Sequence, residues 1–190
     1  MSKIKFLLLF LLLITRTVQA NQDDDFLAAR DAFRSGDPVK LSVLSRRLQN
    51  SPLAVYTSYY QLRMKLDTTD IAEIRAFLAR TDDTPLINKL RAEWLKSLAK
   101  KQKWELFDSE YPLLINGDTE VGCYALQSRL RTQKKTAFEE VRELWFSARD
   151  MPDNCMILFD TAINAGVISQ QDIGARMRLA LEAGNLSLAK

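Results

Sequence analysis

The residues with the clearest chemical potential in this sequence are three glutamates close together, Glu139, Glu140 and Glu143. Cleavage of a glycosidic bond needs one or two carboxyl groups with tuned pKa values beside a sugar-binding cleft. The glutamates share a predicted helix with Lys135 and Arg142, at spacings that produce ordinary surface ion pairs. We therefore interpret the cluster as a solvated helix face and predict no catalytic residue.

Metal binding and nucleophilic catalysis have little support in the sequence. The chain contains no histidine, which excludes Ser-His and Cys-His catalysis and any histidine-ligated metal. The run Asp23-Asp24-Asp25 suggests a cation site, but acidic residues also keep a chain start solvated and suit the first turn of a helix. We favour the second interpretation, and we predict no metal and no other cofactor.

Several aromatic side chains could stack on sugar rings. The same helical spacing is typical of core residues between helix layers, and we favour that interpretation. Stacking on a sugar would require exposure on a concave surface. The candidates are Trp94, Trp104, Phe107, Tyr111 and Trp145.

The first twenty residues resemble an export signal. Lys3 and Lys5 precede an unbroken apolar run from Phe6 to Ile14, and a small-residue cleavage site ends at Ala20. A membrane span requires about twenty apolar residues, so we do not expect a stable span after cleavage. The sequence predicts a signal peptide over 1–20, a mature domain over 21–190 and a periplasmic location.

Charge and cysteine content fit that location. The formal net charge of +3 comes from basic residues within the signal, so the mature chain is about neutral and no nucleic-acid partner is indicated. Cys123 and Cys155 are the two cysteines, and an even pair in an exported protein favours a disulfide. They begin two helices separated by a third, so both starts would lie at one end of an up-down-up stack. A free buried pair is the alternative.

Helical periodicity extends over nearly the whole mature chain. Helix starts are indicated at Asp37-Pro38, Ser51-Pro52, Asp70, Thr84-Pro85, Asp118 and Ser169. Starts recur about every 15–20 residues, a period that fits stacked helix pairs. We predict an all-α fold, an irregular α-solenoid or superhelix of about ten short antiparallel helices.

Four segments resemble the N-terminal superhelical, U-shaped domain of soluble lytic murein transglycosylases. The most specific is FLARTDDTPLINKLRAEWLKSLAKKQKWELFDSEYP, residues 77–112. The others are Pro52-Leu53 with Tyr56, Tyr59-Tyr60 and Leu62; CYALQSRL through LW to P-x-x-C, from Cys123 to Cys155; and residues 168–189. Gly174 departs from the pattern, since related sequences place a bulky residue there.

The resemblance implies a scaffold without chemistry of its own. In that family a separate C-terminal domain carries the catalytic glutamate in a Glu-Ser motif, and no glutamate here precedes a serine. The resemblance implies contact with peptidoglycan glycan strands through that missing domain, and cleavage of MurNAc–GlcNAc bonds by the full enzyme. The chain is then a fragment, a truncated frame or a stand-alone protein. The alternative function is a periplasmic module that binds a protein partner through its superhelix.

Overall fold

A computed structural model describes residues 21–80 and 85–188, and the predicted signal peptide lies outside them. The described residues form ten α-helices and no strand. The first helix, α1, covers 21–35. The others are α2 (Pro38–Arg47), α3 (Ala54–Met64), α4 (Ile71–Leu78), α5 (Pro85–Lys100), α6 (Trp104–Glu110), α7 (Thr119–Leu130), α8 (Lys134–Trp145), α9 (Asp153–Asn164) and α10 (Gln170–Glu182). The predicted all-α class is confirmed.

Four of the helix starts follow the predicted capping residues. The side chains of Asp37, Asp70, Asp118 and Ser169 each accept a hydrogen bond from a backbone N–H of the following turn. This satisfies donors that have no partner within the helix. The prediction at Ser51 is wrong, because α3 begins at Ala54 and the Ser51 hydroxyl oxygen instead accepts a bond from the Leu53 N–H.

Three helix ends use a glycine with positive φ: Gly36, Gly166 and Gly184. The end of α5 has the same bonding pattern, since the Lys103 N–H reaches the Leu98 carbonyl, but Gln102 takes the left-handed position at φ 56°. Pro112 lies inside a short 3₁₀ helix, Tyr111–Leu113, which continues from α6.

The chain divides into two compact units, Met1–Leu90 and Arg91–Lys190. In the first unit, α1 and α2 form a buried core to which Tyr60 and Met64 of α3 add partly buried side chains. The side chains of Leu41, Leu44 and Leu48 form one buried face there.

In the second unit, one apolar core lies between α7, α8 and α9, and Ile173 of α10 packs against it. One apolar stripe of α9 is buried in this core, and Val141 and Trp145 of α8 pack in the same cluster. The members of that stripe are Cys155, Leu158, Phe159 and Ala162. On α10, Ala180 is buried, whereas Met177 and Leu181 are about half exposed at 47% and 49%.

Candidate functional site

The glutamate cluster of α8 is a surface feature, but its partners are not the expected ones. Glu140 accepts two hydrogen bonds from Arg129 of α7, at 2.6 and 2.5 Å, instead of pairing along its own helix. These bonds lower the pKa of the Glu140 carboxyl, an effect that partial burial offsets in part. A general acid needs a raised pKa, so the geometry gives Glu140 a helix-pairing role.

Arg142 also bonds to a neighbouring helix. Its guanidinium donates to the Asp172 carboxylate of α10 at 2.7 Å. The same carboxylate accepts bonds from the Ser169 N–H and hydroxyl, and the Ser169 oxygen accepts from the Asp172 N–H in a capping box. The bonds from Ser169, then that from Arg142, lower the Asp172 pKa. The predicted pairing within α8 is therefore wrong for Arg142, because α10 lies within reach of its guanidinium.

The acidic run near the start of α1 has one ion pair. Asp25 lies 3.3 Å from Arg47 of α2, while Asp23 and Asp24 are exposed. Within residues 21–80 and 85–188, no three His, Cys, Asp or Glu side chains come together in a group that could hold a metal ion. No helix in the described part of the chain is long and apolar enough to cross a membrane.

The five candidate aromatics divide into buried and accessible side chains. Trp94, Phe107 and Trp145 are buried, as the core interpretation requires. Trp104 is half-buried under the Arg131 guanidinium, and Tyr111 stacks on Phe107 with 37% of its surface exposed. The side chains of Trp94, Phe107 and Trp145 are therefore not accessible for stacking on a sugar ring.

Arg176 is a buried charge that the sequence analysis missed. Its guanidinium lies 4.3 Å from the centre of the Trp145 ring and 4.9 Å from that of Phe159. Burial lowers its pKa, and the charge of Asp150 offsets part of that effect. Trp145 also donates its ring N–H to the Asp172 carbonyl at 3.0 Å. These contacts attach α10 to α8 and α9.

Cys123 and Cys155 are joined in a disulfide, with Cα atoms 5.2 Å apart. Both lie near the starts of α7 and α9, so these two starts occupy the same end of the helix stack. The Gln127 amide bonds to the Asn154 carbonyl, and the Asn154 amide bonds to the Glu120 carbonyl, across the same pair of helices. With a sequence separation of 32, loop entropy gives about 3–4 kcal/mol of stabilisation.

A polar cavity of about 610 Å³ lies in the first unit, between the end of α2, the start of α3 and Arg80. We call it the α2–α3 groove. Its polar lining consists of Ser45, Arg46, Gln49, Asn50, Ser51, Thr57, Ser58, Gln61 and Arg80. Among the described residues, no carboxylate lines it. The lining therefore combines two guanidinium groups with amides and hydroxyls.

Sequence reasoning did not identify this groove, although two signals were present. One is the polar stretch from Gln49 to Ser51 between α2 and α3, and the other is the spacing of Ala54, Ser58 and Gln61 along one face of α3. The face of α3 that carries these three residues lines the groove.

These features define the class of protein as all-α, in which a disulfide and interhelical ion pairs join neighbouring helices. The solved 70-kDa soluble lytic transglycosylase of Escherichia coli has a similar fold, with a TM-score of 0.73 over 90% of this chain and 28% of that chain, at 22% identity. No protein-family profile matches the chain.

Two further similarities identify the relatives. An inactive glutamate-to-glutamine mutant of the lytic transglycosylase Slt from Pseudomonas aeruginosa matches with a TM-score of 0.72 and 29% identity, over 86% of this chain and 27% of that chain. The soluble lytic murein transglycosylase of Escherichia coli K12 is 27% identical over 145 residues, which are 74% of this chain and 22% of that enzyme. The chain is thus homologous to a segment of soluble lytic murein transglycosylases and spans about a quarter of their length.

Proposed function

We propose that this chain is a non-catalytic helical scaffold segment of a periplasmic murein lytic transglycosylase. The observation that carries the proposal is the joint sequence and structural similarity to about a quarter of such enzymes. The chemistry of the segment supports the same conclusion. The carboxylates of Glu140 and Asp172 form ion pairs with arginines of neighbouring helices, so they hold helices together.

In this proposal, the segment acts on peptidoglycan together with a catalytic domain that supplies the glutamate acid. The complete enzyme would cleave the MurNAc–GlcNAc bond without water and leave a 1,6-anhydro end. The part described here contributes binding surface and geometry, while the proton transfer occurs in the other domain.

An assay of the isolated chain tests the proposal that it has no lytic activity of its own. Residues 21–190, incubated with purified murein, should release no anhydro-muropeptides, because no glutamate in the sequence precedes a serine and Glu140 is bonded to Arg129. Chromatography of the soluble products measures this directly. Release that disappears when one glutamate, such as Glu140, is changed to Gln would overturn the scaffold assignment.

Export to the periplasm is the second part of the proposal. It is supported by the predicted signal over 1–20 and by the pairing of Cys123 with Cys155, since disulfides persist in oxidising compartments. Peptide mapping of the periplasmic protein without reductant should find a start near Asn21 and the two cysteine peptides linked. An intact Met1 with two free thiols would contradict it.

A stand-alone interaction module is the second candidate, and one observation favours it. Met177, Leu181 and Leu186 expose apolar surface at 47%, 49% and 64%, a surface suited to a protein partner. The coding frame downstream of Lys190 discriminates between the two. A continuing frame with a Glu-Ser motif favours the enzyme segment, and an authentic stop favours the module.

A further inference from the structure

We propose that a cavity between the start of α6 and the end of α7 docks an acidic segment of a protein partner. In the docked state, one apolar side chain of the partner enters the cavity, and its carboxylates pair with Arg131 and Lys103. This inference goes beyond the proposed function and does not depend on it. We call the cavity the Trp104 pocket. Its lining consists of Gln102, Lys103, Trp104, Glu105, Leu106 and Arg131.

The volume of the Trp104 pocket suits a single side chain with its flanking backbone. It measures about 360 Å³, at the lower end of the roughly 300–1,000 Å³ that is typical of small-molecule sites. The tryptophan is held in place, because the fully buried Phe107 contacts the half-buried Trp104 ring edge to face, with ring centres 5.9 Å apart. Tryptophan and arginine are among the residues most enriched at the energetic centres of protein interfaces.

Arg131 covers one face of the Trp104 ring. Its guanidinium carbon lies 5.7 Å from the ring centre, which is within the range of a cation–π contact. This contact orients the guanidinium beside the cavity while the side chain stays exposed. A sugar ring stacked on this face would displace the guanidinium. The arrangement therefore favours a ligand that bonds to the guanidinium, and a carboxylate matches its planar pair of donors.

The basic side chains around the pocket have no carboxylate partner. Lys103 and Arg131 form no ion pair with any residue in 21–80 or 85–188, and the same holds for Lys134 and Lys135 at the start of α8. Lys134 follows Arg131 by three residues, so their Cα atoms lie within about 11 Å of each other. Arg129 differs, since it is paired with Glu140. Several cations are thus available to an acidic ligand.

Two basic stretches that are distant in the sequence meet at this pocket. Residues 100–108 surround the connection between α5 and α6, and residues 128–140 surround the connection between α7 and α8. Together they contain seven basic and four acidic residues, although residues 21–190 as a whole are about neutral. The Ser128 hydroxyl donates to the Asp108 carboxylate at 2.7 Å, a bond that joins the two stretches. A local excess of positive charge attracts an acidic partner and speeds its encounter.

Glu105 favours a protein segment over a nucleic acid. Among the described lining residues it alone carries a carboxylate, and it has no ion-pair partner. Its charge repels a ligand whose negative charges are evenly and densely spaced, because like charges that are brought together are destabilising. A protein segment can place carboxylates beside Arg131 and Lys103 and present an uncharged group to Glu105.

Calorimetric titration of residues 21–190 tests the pocket with three blocked five-residue peptides. The first has a central phenylalanine with two acidic residues on each side. The second replaces the acidic residues with their amides, and the third replaces the phenylalanine with alanine. The first peptide should bind. Each of the others should bind at least about tenfold more weakly, because it lacks either the charged hydrogen bonds or the buried ring. A single-stranded oligonucleotide provides a polyanion of another class.

Tryptophan fluorescence locates the bound peptide. Trp94 and Trp145 are 2% and 8% exposed, so a change in emission on binding reports mainly on Trp104. The acidic phenylalanine peptide should change the emission of the unchanged chain. Trp104→Phe keeps an aromatic ring against Phe107 and should abolish that change.

Two exposed arginines provide a matched pair of variants. Arg131→Gln should weaken binding of the acidic peptide by about tenfold. Arg178→Gln removes the same charge from α10, outside the pocket, so it should change binding less than about twofold. Glu105→Gln removes the opposing charge and should strengthen binding by about threefold. All three side chains are exposed, so circular dichroism should show unchanged folding.

The proposal is overturned if the acidic peptide does not bind, or if the amide peptide or the oligonucleotide binds as tightly. It is also overturned if Arg131→Gln and Arg178→Gln weaken binding equally, or if the peptide binds without changing the emission of Trp104. Muropeptide release tests the scaffold assignment separately, and none of these binding results alters that assignment.

Discussion

Single charged side chains in this protein join one helix to another. Arg129 reaches Glu140, Arg142 reaches Asp172, and Arg91 forms a buried pair with Glu110 at 2.5 Å. Exposed pairs contribute at most about 1 kcal/mol each, so their main effect is to select how neighbouring helices pack. The sequence shows which residues are charged, but it does not show which neighbouring helix lies within reach.

Gly174 is a position where a substitution should stabilise the protein. It lies inside α10 at an ordinary helical conformation, and an added Cβ would meet Arg178 Nη1 at 3.6 Å, a normal van der Waals distance. Gly174→Ala should raise the free energy of unfolding by about 1 kcal/mol, because alanine loses less conformational freedom in a helix. Denaturant unfolding monitored by circular dichroism measures the change.

The control for this substitution lies at the end of the same helix. Gly184 has φ 74°, so Gly184→Ala should lower stability by about 1 kcal/mol. Destabilisation by Gly174→Ala would show that α10 requires the open space at that position.

At the scale of elements, helix starts are the part of the fold that the sequence determines best. Asp37, Asp70 and Asp118 each cap the helix that their position predicted, because a short acidic side chain satisfies the backbone locally. Ser51 did not, since its hydroxyl forms a tight turn with Leu53 before α3 begins. A short polar side chain can either cap a helix start or form a tight turn, and the local sequence is compatible with both.

The groove and the Arg176 contact were harder to predict than the helices. The groove depends on how the end of α2 lies against one face of α3, and that placement is set by packing between helices. Likewise, nothing in the residues around Arg176 indicates that it lies between the rings of Trp145 and Phe159. The spacing of apolar residues predicts the apolar face of each helix, but it does not predict which helix packs against that face.

The start of α10 should make stability sensitive to acid. Ser169 and Arg142 lower the pKa of the folded Asp172 carboxyl below its unfolded value of about 3.9. The carboxylate therefore stabilises the fold fully above that pH, and this contribution is lost as the pH falls through the folded pKa. Asp172→Asn should lower the melting temperature at neutral pH. Below about pH 4, the melting temperature of this variant should fall less than that of the unchanged chain.

Melting curves at pH 7 and at several acidic pH values check this expectation. Asp160→Asn, at an exposed position of α9, provides the control for removing one carboxylate. If both variants show the same dependence on pH as the unchanged chain, the Ser169–Asp172–Arg142 contacts do not contribute to acid stability.

At the scale of the whole molecule, each unit has its own apolar core. The first is built around Ala29, Ala32 and Leu41, and the second includes the Cys123–Cys155 bridge. Helical period and turn residues predicted the all-α fold, and the similarity to the solved Escherichia coli lytic transglycosylase agrees with it. We have proposed that this chain is a non-catalytic helical scaffold segment of a murein lytic transglycosylase.

A chimeric enzyme tests that claim most directly. The segment of the Escherichia coli soluble lytic murein transglycosylase that matches this chain is replaced by the corresponding residues of this protein, and release of anhydro-muropeptides from murein is measured. Deletion of the segment, and its replacement by an unrelated helical segment of equal length, provide the controls. Our account predicts that the chimera folds and retains lytic activity, whereas both controls lose it. A folded chimera with no more activity than the unrelated replacement would contradict it.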